Sequence, residues 1–135
     1  MANLLILFGF SWMVVAAIIG FLLARRHELA SVALEKIAAK GDLAGYHRAD
    51  AIYKWNKMVH AHAFLFSVVA VCAGLAMDRM NYSELGGRVL AYTMMASAVV
   101  WTIGGMRSNR ALMVIGDVAL LAGVVAAAIG MAKAL

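Results

Sequence analysis

Two imidazoles two positions apart, His60-Ala61-His62, stand at one end of an apolar segment, and a single carboxylate, Asp117, lies inside the last apolar segment. Ionisable side chains within a membrane span are costly and mark function by default. Residues two apart on a helix point about 200° apart, so the two histidines cannot both face one site. His60 heads a stripe of small residues, Ala63, Ser67, Ala70 and Gly74, and is the candidate for a site inside the protein. His62 heads Phe66, Val69, Ala73 and Ala76 on the opposite side, toward lipid headgroups or a neighbouring subunit. At 1.5 Å per residue inward from Lys57 and Arg110, His60 lies about 5 Å deep, His62 about 8 Å and Asp117 about 10 Å. A carboxylate at that depth demands a cation or hydrogen-bond donors, for which His60, Arg107 and Arg110 are the candidates. The plain reading of such a pair is an interhelical bridge that fixes helix register. The functional reading is a proton, quinone or cofactor site.

A closed metal site needs three or four converging donors. Only His60, His62 and Asp117 share a suitable depth, because His27 and His47 belong to a basic connection outside the apolar segments. Cys72 is the single cysteine, which excludes an intrachain disulfide and a cysteine-based zinc or iron–sulfur site. Haem asks less of the protein: one histidine, or a histidine with a methionine, can hold its iron. His60 is the metal-ligand candidate, and Met113, three residues in from Arg110, is at a depth that makes a His60/Met113 pair conceivable.

The elements that must position these residues follow from composition. The chain has 135 residues, 65% of them hydrophobic, with no proline, and a mean hydropathy of +0.88. Those values describe an all-α integral membrane protein with room for one small bundle. Four spans are expected, about 3–24, 58–77, 88–106 and 111–132, each near the roughly 20 residues that cross a hydrocarbon core of about 30 Å. The first connection carries Arg25, Arg26, Lys36, Lys40, Arg48, Lys54 and Lys57, and the third carries Arg107 and Arg110. In the second, Arg79 and Arg88 are balanced by Asp78 and Glu84. Cytoplasmic loops retain positive charge, so both termini are expected outside, periplasmic in the inner membrane of a bacterium. The arginines follow the first apolar run rather than precede it, which reads as a retained anchor. The net charge of +5 is explained by this orientation, and no groove-reading motif for nucleic acid is present.

The first connection, 25–57, is rich in Ala, Leu, Glu and Lys and reads as two helical arms. Gly41 can end one arm in the left-handed region and Asp42 can cap the next. The expectation is a helical cytoplasmic hairpin with Leu29, Val32 and Ile37 packed on Leu43, Tyr46 and Tyr53. The rival lays these segments on the membrane, with Tyr53 and Trp55 at headgroup depth. Small residues recur at heptad spacing as Ala91, Ala98, Gly105 in span three and Gly116, Gly123, Gly130 in span four. These are expected as facing seams, with Gly9, Met13, Ala16 and Gly20 in span one, in a four-helix bundle that also self-associates.

The run 57–64, Lys-Met-Val-His-Ala-His-Ala-Phe, continuing to Gly74, resembles the start of the second helix in relatives of haem-copper oxidase subunit I. It also resembles small four-span membrane proteins with His-Ala-His at the mouth of span two. The resemblance covers about twenty residues, and it implies an axial haem ligand at His60. Spans three and four contain no histidine, so the partner ligand and the copper ligands of those oxidases have no counterpart here. What the resemblance leaves is an accessory subunit of an electron-transfer complex that carries one haem, bound through His60 with Asp117 as polar partner. A second class is a structural or assembly subunit. A third is a small membrane enzyme acting on a lipophilic substrate, similar in size to four-span glutathione-transferase-like enzymes, with the basic Tyr46-His47-Arg48 and Lys54 to Lys57 region to hold an anionic cosubstrate. Nucleophile-elbow, phosphate-loop and His-Glu-x-x-His signatures are absent.

Overall fold

The computed structural model describes the backbone of residues 1–135 and every side chain except those of His27 and Glu28. The assignment of His27 to the basic connection therefore concerns a side chain outside the described residues. Four helices follow one another: α1 (Ala2–Ala39), α2 (Leu43–Ala76), α3 (Glu84–Met106) and α4 (Arg110–Ala132), with a short 3-10 turn, Met77–Arg79, after α2. All four are long and apolar enough to cross a membrane.

α1 and α2 overshoot that requirement. Their 38 and 34 residues make rods of about 57 and 51 Å at 1.5 Å per residue. Both run unbroken through the basic connection, as its composition predicts. The reversal uses the two residues expected: Gly41 adopts φ +70°, and the Asp42 carboxylate accepts from the Gly45 N–H at 2.9 Å. Asp50 pairs with Lys54 one turn on at 2.7 Å, and its hydrogen bond and charge hold the Lys54 ammonium above its ordinary range.

The packing face of this hairpin matches the expected one in part, at Ile37, Tyr46 and Tyr53. Leu29, Val32 and Leu43 are exposed, at 74%, 45% and 70%, whereas Leu34, Ile37, Tyr46 and Tyr53 are partly covered. The small residues upstream explain the phase. A Cβ built on Gly9 would meet Val71 Cγ2 at 2.6 Å and the Ser67 carbonyl at 2.9 Å, and one on Gly74 would meet Ile6 at 2.6 Å. This close antiparallel seam locks α1 on α2, and the unbroken helices carry its phase into the arms.

α3 and α4 form the second tight pair, and α2 meets α3. Burial of the apolar windows is 39% in α2 and 50% in α3 but 17% and 22% in α1 and α4, so α2 and α3 are central and α1 and α4 flank them. The expected heptad seams are buried, yet they do not meet small to small. Gly116 takes the Trp101 Cβ, which a Cβ there would meet at 2.6 Å, and Gly123 takes Met94 Cγ at 3.0 Å. Gly105 faces Val59 of α2, at 2.9 Å by the same measure. At Gly116 the α3 backbone itself comes close, with the Ser97 carbonyl and Trp101 Cα each 3.0 Å from a Cβ there, whereas at Gly123 a large side chain fills the space.

Candidate functional site

At the basic end of the α1–α2 seam, the packing that brings the helices together also traps His60. Its ring lies over Gly20, where a Cβ would sit 2.5 Å from Cε1 and 2.8 Å from Nε2. The Nδ1 atom is buried and has no hydrogen-bond partner. It shares that condition with Trp12 Nε1, Trp101 Nε1 and Thr102 Oγ1, although buried polar side-chain atoms are nearly always satisfied by protein or water.

His60 stands at the edge of a cavity of about 510 Å³ between the two helices, within the range of about 300–1,000 Å³ seen for small-molecule sites. Gly20, Leu23, Ala24 and Ala30 of α1 and Ala49 and Ile52 of α2 give it apolar walls. Polar groups enter from Arg26, Tyr53, Asn56 and Lys57. The Lys57 ammonium sits 4.3 Å from the centre of the Tyr53 ring, which orients the cation through the ring's negative face. The chamber therefore combines an apolar body, two cations and an imidazole ring at its edge. That combination suits a flat or chain-like apolar ligand with an acidic edge.

The two histidines point apart, as helical phase requires, but His62 turns into the protein rather than toward lipid headgroups. Its ring stacks on Trp101 at 4.5 Å between centroids and 8° between planes. Its Nδ1 lies 3.0 Å from the Met58 carbonyl, so that nitrogen carries the proton and donates. Trp101 is 1% exposed and packs with Val59, Phe66, Ala98 and Met113. Trp55, allotted to headgroup depth in the surface-lying alternative, donates from its indole N–H to the Gly105 carbonyl at 3.0 Å. The α2 arm is thus fastened to the end of α3.

Met113 belongs to this aromatic cluster, not to the residues that line the cavity beside His60. Asp117 is exposed on the outer side of α4, and the ion pairs among the described residues are those of Asp50 with Lys54 and Glu84 with Arg88. The structure therefore brings together none of His60, Met113 and Asp117. His47 is exposed in the α2 arm, edge-on to Tyr46. Among the described residues no three His, Cys, Asp or Glu side chains converge.

Sequence reasoning missed Arg26 and Tyr53 as cavity residues, while Asn56 and Lys57 come from the Lys54 to Lys57 region read as a site for an anionic cosubstrate. The available signal was Gly20, the last member of the span-one stripe and the place where His60 could approach α1. Comparison with protein-family models, curated proteins and solved structures gives no match to this chain.

Proposed function

We propose that the protein is a small, non-catalytic subunit of a membrane electron-transfer complex that holds one amphipathic cofactor, haem, in the α1–α2 cleft at His60. The observation that carries the reading is the His60 imidazole, with a buried and unpartnered Nδ1, at the edge of a cavity of about 510 Å³. The chain's own groups fit such a cofactor: His60 offers a ring nitrogen to iron, and Arg26 and Lys57 offer charge to its carboxylates. When bound, haem would supply one-electron transfer at iron. The apolar wall residues would pack against the cofactor's ring, and Lys57, held over Tyr53, keeps a cation at the polar edge.

The orientation that goes with this reading follows the lysine and arginine bias. The basic ends of the four spans face the cytoplasm of a bacterium, the termini are periplasmic, and the helical hairpin projects from the inner membrane. Rods of about 57 and 51 Å against a core of about 30 Å support a projecting hairpin.

The test is a reduced-minus-oxidised spectrum with iron analysis on protein purified in mild detergent. The expected result is a haem band that is lost in His60→Ala and retained in His62→Ala. An iron-free protein that also fails to take up added haem would overturn the assignment. It would favour the second reading, a structural subunit, which the stacking of His62 on Trp101 supports by showing an imidazole used for packing.

A further inference from the structure

α4 turns Met113, Gly116, Gly123, Ala127 and Gly130 inward. Asp117 flanks that face, about 100° round the helix from Gly116, and is exposed beside Val114, Val118 and Leu121. It lies seven residues into an apolar helix, about 10 Å from its basic end. Among the described residues it has no hydrogen bond and no ion pair.

None of His60, Arg107 and Arg110 pairs with it: the ion pairs among the described residues are Asp50 with Lys54 and Glu84 with Arg88. His60 is turned to Gly20 of α1 and His62 is stacked on Trp101. Arg110 shares the face of Asp117 but sits two turns toward the helix N-terminus, and helical side chains lean in that direction, away from the carboxylate. Ionisable groups within spans face a protein interior or a water-filled cavity and pair there. Asp117 therefore calls for a partner from outside the chain.

We infer that the outer face of α4 docks a transmembrane helix of a different protein, one that presents a lysine or arginine to Asp117. The charge decides against a second copy of this chain. At the matching depth, seven or eight residues in from Arg25 and Lys57, the outer surfaces of α1 and α2 show Ile18, Phe64 and Leu65, so a contact of α4 with either offers no cation. A two-fold contact through α4 would set Asp117 against its own copy, like charge against like. The inference rests on α4 crossing the membrane and is independent of what the His60 cavity holds.

The test uses the full chain, donor-labelled at its N-terminus, in phosphatidylcholine vesicles. The probe is an acceptor-labelled polyleucine transmembrane peptide with one lysine about 10 Å from its end. Control peptides carry leucine there, or the lysine two turns deeper. Energy transfer is expected at a peptide-to-lipid ratio at least about tenfold lower for the matched lysine peptide than for either control, a difference of about 1.4 kcal/mol. Asp117→Leu, which removes a polar group from an exposed apolar face and leaves the packing side untouched, should abolish the difference. Equal transfer from all three peptides to the unsubstituted protein overturns the inference. So does transfer between copies of the chain that disappears in Asp117→Leu, which would assign the face to self-association.

Discussion

Gly20 decides how His60 sits, and the consequence can be measured without knowing the ligand. With a Cβ position 2.5 Å from the imidazole, Gly20→Val must either push the ring away or part α1 from α2. Overpacking of this kind costs about 1–3 kcal/mol, which unfolding in mixed micelles should show. His60 and His62 separate along the same line. His62→Ala loses a stacked aromatic contact, expected to cost about 0.5–1.5 kcal/mol, and leaves the cavity intact. His60→Ala removes a buried nitrogen that has no partner, so its effect should fall on ligand binding more than on stability. Equal destabilisation by the two substitutions would contradict this division. Helical phase made the opposition of the histidines legible in the sequence. It did not identify the neighbour on each side, because an angle between residues carries no information about which helix lies there. Asp117 was legible as a residue out of place, but its outward direction was set by α4 packing through its glycines.

The glycine stripes of the helices were legible as close-packing surfaces because their spacing is periodic. Their partners were not, because a row of small residues specifies a groove and leaves the ridge open. Trp101 and Met94 fill the α4 groove, so Gly116→Val should separate α3 from α4 and rank among the most destabilising changes in these helices. Gly87 gives the contrast: it is helical with nothing within 4 Å of a Cβ, and Gly87→Ala should be neutral or stabilise by up to about 1 kcal/mol. The α3–α4 turn relies on Asn109, whose side chain accepts from the Leu112 N–H at 3.3 Å. Asn109→Ala should cost about 1 kcal/mol, the usual loss for a helix cap. Thermal unfolding of the three variants side by side checks the ranking. A Gly87→Ala loss as large as that of Gly116→Val would contradict the packing account.

For the whole molecule, four apolar helices and the turn at Gly41 and Asp42 were readable from composition and caps. The path of the hairpin's inner face was not, because exposed Leu29 and Val32 and partly covered Leu34 and Ile37 compete for the same amphipathic reading. Seam contacts far away, at Gly9 and Gly74, settle the phase. That phase frames the cavity: Gly20, Ala24, Ala30 and Ala49 leave the space, Leu23, Ile52 and Tyr53 border it, and Arg26, Asn56, Lys57 and His60 line its polar side. The most direct measurement is an optical haem titration of the full-length protein in mild detergent, run beside His60→Ala and Gly20→Leu. The account predicts saturation at one haem per chain, with binding at least about tenfold weaker in both variants, a loss of 1.4 kcal/mol or more. No uptake by the unsubstituted protein, or equal uptake by all three, would contradict it.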